Sequence, residues 1–270
     1  MFLIASNITT RNPKVVSAFR QAKSDGWNTR GQGADVLKRI SEECVASGAD
    51  ALEVDVQQHF DEPEAMKFAV ETVQQVSDLQ LCLSANTPET FGSGVSVCKR
   101  APIVNYLSIE ESRLRQVLPL AASSGASLVL LVSDPAAPAD AREMLQKAAI
   151  LVGAANAEGI SSDRIFVDPG LIHVTSELGQ RHAAEVLEFL RELPRVFDPP
   201  IKSTCWLTNS SSGAPTSKRS VIETGMFLTL AGAGLSSAFL DVLRRENRRA
   251  VRLAKIFENE LVYSDGDIEL

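Results

Sequence analysis

Short apolar runs and longer segments with apolar residues at three- and four-residue spacing alternate along the whole chain. The runs are FLIAS (2–6), ALEVDV (51–56), LQLCLS (79–84), PIVNYL (102–107), SLVLLVS (127–133), RIFVDP (164–169), IKSTCWL (201–207) and LSSAFLD (235–241). Most are continuous rather than alternating, the pattern of parallel strands covered on both faces. Between them, Ala34 to Ala46 carries Val36, Leu37, Ile40 and Val45 on one helical face, and Glu110 to Ser123 carries Leu114, Val117, Leu118 and Ala121. Arg142 to Glu158, Arg181 to Glu192, Ser220 to Ala231 and Asp241 to Asn259 follow the same rule. Gly48, Gly125, Gly159 and Gly234 fall just after helices, where a left-handed cap favours glycine.

Alternating β and α elements imply a parallel sheet, either open and doubly wound or closed into a barrel. Eight repeats in a chain of 270 residues predict a single (β/α)8 TIM barrel spanning residues 1–270. A doubly wound dinucleotide fold would place G-x-G-x-x-G directly after an early strand. The nearest match, Gly31-Gln32-Gly33, lies more than twenty residues past the first run, so that fold is rejected.

Barrels place their chemistry at the carboxyl ends of the strands. Those positions hold Ser6 and Asn7, Asp55, Ser84, Asn105, Ser133 and Asp134, Asp168, Asn209, and Asp241. The same residue types cap helices and make turns. Asp134, followed by Pro135, and Asp241 are assigned that role. Asp55, Asn105, Asp168 and Asn209 converge on one mouth. They are acceptors and amides, with no histidine, cysteine nucleophile or lysine among them. Such a set suits a flat heterocycle rich in N–H donors better than acyl transfer. No glycine-rich turn follows the last two runs, so a phosphate site is not expected there.

Composition narrows the reading further. A hydrophobic share of 44% and a charged share of 23% describe an ordinary globular chain. The 27 Lys and Arg against 34 Asp and Glu give a net charge of −7, which argues against a nucleic-acid partner. MFLIAS at the amino end has no basic lead and reads as a strand, and no apolar run reaches the roughly 20 residues of a membrane helix. Cys44, Cys82, Cys98 and Cys205 form no C-x-x-C pair, and His59, His173 and His182 are scattered. A reduced cytoplasmic protein without a bound metal is expected.

Several segments, in order and with matching gaps, carry a resemblance over nearly the whole chain. They are VSDLQLCLSANTPE, CKRAPIVNYLSIEESRLRQVLPLAASSGASLVLL, RIFVDPGLI, HAAEVL, WLTNSSSGAPTSKR and the closing LVYSD. The chain resembles the methyltetrahydrofolate:corrinoid protein methyltransferases, the pterin-binding branch related to dihydropteroate synthase. The resemblance implies that Asp168 pairs with the amino-pyrimidine edge of the pterin and that Asn105 is a second ring-binding amide. It makes Asn209 the catalytic amide near N5, stabilising protonation there so that a poor leaving amine becomes a good one. Ser211 and, across a two-residue insertion, Arg219 complete the same motif. The implied reaction moves the N5-methyl of methyltetrahydrofolate, the methyl donor, to the Co(I) of a cobalamin on a separate corrinoid protein. No corrinoid-binding D-x-H-x-x-G motif occurs in this chain. Family members are homodimers, and the resemblance implies one here.

The sequence departs from the family where it has an aspartate after the third strand, in an LCLDS-type segment. Here that residue is Ser84, which supplies no charge. The second run ends in VDVQQ, with Asp55 near the family's asparagine, so an acid on strand two takes the place of the one on strand three. Two alternatives remain at this stage. One is a barrel that binds a pterin or related ring without methyl transfer. The other is a dihydropteroate synthase, of whose substrate loops TSKRS (216–220) is only a superficial echo.

Overall fold

A computed structural model describes residues 1–133 and 136–267; Asp134 and Pro135, read above as a turn, lie outside the described residues. In chain order the elements are β1 (Phe2–Thr9), α1 (Pro13–Ser24), α2 (Gln32–Ala46), β2 (Ala51–Asp55), α3 (Pro63–Val73) and β3 (Gln80–Ser84). Then come α4 (Pro88–Val97), β4 (Ile103–Leu107), α5 (Glu111–Ser124), β5 (Ser127–Leu131), α6 (Ala141–Ala157) and β6 (Ile165–Asp168). The remainder is α7 (Glu177–Val196), β7 (Lys202–Ser203), α8 (Leu207–Ser210), α9 (Thr216–Gly232), β8 (Ser237–Leu240) and α10 (Arg245–Phe257). All neighbouring strands pair in parallel, in the order β7-β6-β5-β4-β3-β2-β1-β8. With helices between them, the eight strands form a nearly closed (β/α)8 barrel.

The predicted strands other than the one at IKSTCWL, and the four glycine returns, are present. Gly48, Gly125, Gly159 and Gly234 all have φ between 71° and 101°. Helices α1, α3, α4 and the short α8 are not among the predicted segments, and α1 and α4 could have been. Their starts carry plain signals, since Asn12 caps α1 ahead of Pro13 and Thr87 caps α4 ahead of Pro88.

The largest correction falls at IKSTCWL. Only Lys202 and Ser203 join the ladder, because the chain bends into α8 directly after Trp206. Side chains and a single bridge close the seam to β8 instead. The Ser237 hydroxyl donates to the Ser203 carbonyl at 3.1 Å, and the Ser236 amide donates to Ser203 Oγ at 3.0 Å. Phe239 N–H reaches the Cys205 carbonyl at 2.9 Å, in register with an isolated Trp206–Phe239 bridge.

Strand residues alternate between two cores. Ile4, Ala51, Cys82, Ile103, Val129, Phe166 and Phe239 fill the barrel interior, with Phe2, Tyr106 and Trp206 packed against them. The other strand faces meet the helices in a larger apolar layer. At the β1–β2 crossover, Phe19, Trp27, Phe60 and Phe68 pack ring against ring, with centroids 5.2–6.4 Å apart, and tie α1 to α3.

Gly33, set aside above as a nucleotide-binding signal, has a packing role. A Cβ there would lie 2.4 Å from the Ala18 carbonyl oxygen and 3.0 Å from the Ala22 nitrogen, both backbone atoms of α1. Relief requires the two helices to separate. Gly33→Ala is therefore expected to destabilise the fold by about 1–3 kcal/mol. Urea unfolding should show a lower midpoint with an unchanged slope, and an unaltered midpoint would remove this account of the glycine.

Candidate active site at the barrel mouth

Inward-facing residues two apart on a strand stack from the apolar plug toward the carboxyl end. On β2 these are Ala51, Glu53 and Asp55; on β3, Cys82 and Ser84; on β4, Ile103 and Asn105; on β6, Phe166 and Asp168. Asp55 stands level with Ser84, and Ser84 with Asn105. The lower member of each pair seals the barrel and the upper one carries the polar group.

Ser84, Asn105 and a residue that the sequence reading missed, Glu53, form one hydrogen-bonded unit. Ser84 Oγ donates to Glu53 Oε1 at 2.5 Å, and Asn105 Nδ2 donates to Ser84 Oγ at 2.8 Å. Asn105 Nδ2 also lies 3.4 Å from Glu53 Oε1. Glu53 and Ser84 are fully buried, and Glu53 Oε2 is buried without a partner among the described residues. Burial first, and the nearby Asp55 charge second, push the Glu53 carboxyl well above the usual carboxylate range. The acid that meets Ser84 is thus Glu53, not Asp55. It was hidden inside the apolar run ALEVDV, but it follows from period two, because an inward Asp55 puts Glu53 inward as well.

Asp55 faces the other way round the mouth. Its carboxylate accepts Thr9 Oγ at 2.6 Å and the Gln57 amide at 3.0 Å, with Arg11 Nε at 3.7 Å. Burial raises its pKa while these donors oppose the shift. The Arg11 guanidinium in turn lies over the Trp206 ring at 4.8 Å.

Asp168 ends β6 and is positioned by the turn that follows. The Gly170 amide donates to its Oδ1 at 2.7 Å, and the Gly170 carbonyl is in hydrogen-bond contact with His182 Nε2 at 2.6 Å. Gly170 has φ 73°, and a Cβ there would lie 1.8 Å from Ser133 Oγ, so only glycine makes this turn. The second carboxylate oxygen of Asp168 accepts no hydrogen bond among the described residues. Burial raises the Asp168 pKa to about 7, against the weaker downward pull of the Gly170 amide.

Asn209, Ser211 and Arg219 lie beyond the short β7. Together with Thr9, Arg11 and Trp206 they line a cavity of about 330 Å³. The half-buried Asn209 amide makes no side-chain hydrogen bond to any described residue. Ser211 Oγ donates to the buried Glu223 Oε1 at 2.6 Å, and Glu223 Oε2 takes Arg244 at 2.5 Å. Arg219 Nε donates to the Ala214 carbonyl at 2.9 Å. The structure therefore joins Ser84 to Asn105 directly, groups Asn209, Ser211 and Arg219 around the cavity, and links Asp55 to that cavity through Thr9 and Arg11. Asp168 stands apart, its second oxygen without a hydrogen bond among the described residues. Asn7 and Asp241 pair with each other at 2.5 Å, and Asp241 also accepts the Leu243 amide, as its assignment to a turn implies. A larger cavity of about 520 Å³ between the end of α2 and α10 is lined by Leu3, Val251 and Arg252 and holds none of the interior acids.

The model of the family described as "Pterin binding enzyme" matches residues 21–237 of this chain. A methylcorrinoid:tetrahydrofolate methyltransferase of Eubacterium limosum is 26% identical over 196 residues, covering 70% of this chain and 69% of that one. Among solved structures, a dihydropteroate synthetase with a product superposes with a TM-score of 0.72 at 14% identity, covering 96% of this chain and 94% of that one. The Yersinia pestis dihydropteroate synthase with a pterine-sulfa conjugate gives 0.69 at 15% identity over the same shares. At that level of identity the superpositions establish the fold.

The loop that carries Asn209 depends on the Ser211–Glu223 contact. Ser211→Ala leaves a buried carboxylate oxygen without its donor, at a cost of about 1–3 kcal/mol. Urea denaturation should show this loss, and Ser211→Thr, which keeps the hydroxyl, should recover most of it. Equal stability of Ser211→Ala and the wild type would show that the contact contributes nothing.

Proposed function

This chain belongs to the pterin-binding enzyme family, and from that premise we propose that it passes a methyl group between N5 of tetrahydrofolate and the cobalt of a cobalamin held by a separate corrinoid protein. The observation that carries the reading is Asp168, a buried carboxylate fixed by Gly170 at the end of β6, whose second oxygen accepts no hydrogen bond among the described residues. A carboxylate in that state matches the paired N–H donors of an amino-pyrimidine edge, a contact worth about 1.5–3 kcal/mol. The sequence similarity to a methylcorrinoid:tetrahydrofolate methyltransferase supports methyl transfer over pterin binding alone.

Asn105 supplies a second contact to the ring. Asn209, whose side-chain amide has no partner among the described residues, hydrogen-bonds at N5 and favours the protonated amine that releases the methyl group. Ser211 holds the Asn209 loop through Glu223, and Arg219 borders the cavity beside it. The protein's share of the catalysis is positioning and a fixed hydrogen-bond field. The name of the Eubacterium limosum protein runs from methylcorrinoid to tetrahydrofolate, and the resemblance implies the reverse sense. The same contacts serve both, since a catalyst lowers one barrier for both directions. Four free cysteines, three of them buried, fit a reducing cytoplasm.

Methyltetrahydrofolate titrated into the protein should bind, and a Co(I) corrinoid protein added to the complex should become methylated. Binding without methylation would leave a pterin-binding barrel, and no binding would exclude the pterin class. Asp168→Asn should weaken binding by roughly 10- to 150-fold with the barrel still folded. Unchanged affinity in calorimetry would return Asp168 to a structural role.

The raised pKa of Asp168 adds a dependence on pH. Below about 7 the carboxyl is protonated in the folded chain and the proton occupies the acceptor. Affinity should therefore fall about tenfold per unit below that pH, level off above it, and be accompanied by proton release. The unfolded chain ionises this group near its ordinary value of 3.8, so Asp168 lowers stability progressively from about pH 4 to about pH 7 and no further beyond. Affinity independent of pH between 5.5 and 8 would contradict the assignment.

A further inference from the structure

The outer ring of helices leaves a space on one side of the barrel. Helix α10 packs on α9, and between it and the end of α2 lies the cavity of about 520 Å³. Its lining shares no residue with the cavity at the mouth. The apolar part comes from Leu3 of β1 and Leu240 of β8, on the strand faces turned outward, and from Val242, Val251 and Leu261. A cavity of this size, mostly apolar with a few convergent polar groups, has the build of a small-molecule pocket.

The charged groups that line it are all cations: Arg248, Arg252 and Lys255. Spacings of four and three residues set them, with Val251, on one face of α10. In a chain of net charge −7, composition alone would favour the opposite sign. Arg248 Nη1 reaches Ser47 Oγ at 3.4 Å, while its Nε is buried without a hydrogen bond among the described residues. Asp50 approaches from the β2 side, but its carboxylate accepts the Leu3 amide at 2.8 Å. No ion pair joins Arg248 or Lys255 to an acid among the described residues.

Long cationic side chains often lay their stems over apolar surface and keep their heads in water. That habit accounts for one such residue at the edge of a groove. It does not account for three around a single cavity, where like charges one turn apart repel and the low-dielectric wall strengthens the repulsion. An anion seated among them reverses the sign of that interaction. The planar guanidinium of arginine suits a carboxylate or a phosphate, which it can grip through two N–H groups.

We propose that the cavity between α2 and α10 is a second binding site, separate from the barrel mouth, for a small amphiphilic anion. Its hydrocarbon body lies on Leu3, Leu240, Val242 and Val251, and its carboxylate or phosphate head meets Arg248 and Lys255, with Arg252 between them.

Calorimetry with octanoate and octyl phosphate tests this, with octanol as the body without a head and inorganic phosphate as the head without a body. At least one of the two amphiphiles should bind stoichiometrically, roughly tenfold tighter than octanol or phosphate, and the tighter of them identifies the head group. Added salt should weaken that binding. Exchanging both Arg248 and Lys255 for Met keeps the apolar stems and removes the charges. Affinity for the amphiphile should then fall about tenfold, with any binding of octanol unchanged and thermal melts showing an intact fold. Arg248→Lys, which keeps a cation, should retain most of the affinity. The Asp168→Asn protein should bind the amphiphile as the wild type does, so the outcome is independent of the pterin reading. The proposal is overturned if octanol binds as well as the amphiphiles, or if the folded double Met variant keeps full affinity for them. It is equally overturned if saturating methyltetrahydrofolate displaces them, or if neither binds at millimolar concentration.

Discussion

The two-residue period of a strand governs this molecule, because closing eight strands into a barrel forces every second side chain into a space that helices do not reach. The lower part of that space is filled by Ile4, Ala51, Cys82, Ile103, Val129, Phe166 and Phe239, which exclude water and carry the packing. The next inward positions toward the carboxyl ends lie above the plug, and there polar groups appear at Glu53, Asp55, Ser84, Asn105 and Asp168. The plug makes the interior dry enough to shift their ionisation, and the strands fix them in register. The site is the upper storey of the same layered arrangement that holds the barrel closed.

Much of this was legible before any coordinates. The apolar runs are strands because both strand faces are buried, and a run buried on both sides needs no polar alternation. The polar residue that closes each run marks the mouth, so Asp55, Ser84, Asn105 and Asp168 could be read directly. Glu53 could not be found by that rule, since it sits within a run rather than at its end. Only the inward parity of Asp55, combined with the level pairing of Asp55 and Ser84, brings it beside the serine. The seventh strand failed for another reason. IKSTCWL has the composition of a strand, but serine hydroxyls at 203, 236 and 237 and a single bridge do the work of a ladder there, and composition does not distinguish the two. Helices α1 and α4 carried legible caps at Asn12 and Thr87, each followed by proline.

The two halves of the mouth are built differently. The β2–β3–β4 side is rigid, since its polar groups are rooted in adjacent paired strands and bond one another within 2.5–2.8 Å. The β7–β8 side rests on loops, so its order comes from side chains. Ser211 and Arg244 converge on the buried Glu223, and Arg11 bridges Asp55 to the face of Trp206. A ring-shaped ligand therefore meets a fixed wall on one side and adjustable groups around the cavity on the other. This division suits the proposed reaction, in which the ring stays put while a second large partner approaches the atom that gives or takes the methyl group.

Three interior acids, Glu53, Asp55 and Asp168, all have pKa values raised by burial, and among the described residues only Asp55 has a cation within ion-pair distance. Burial favours the protonated form of the other two, and a protonated carboxyl has less accepting capacity than an ionised carboxylate. A ligand that brings its own N–H donors reverses the balance at Asp168, because the hydrogen bonds it supplies favour the charged form that burial opposes. Discrimination follows from the same arithmetic. A ring of equal size whose edge accepts rather than donates leaves a buried carboxylate facing a lone pair, and the penalty for unpaired polar groups in a dry site exceeds what ring packing can restore.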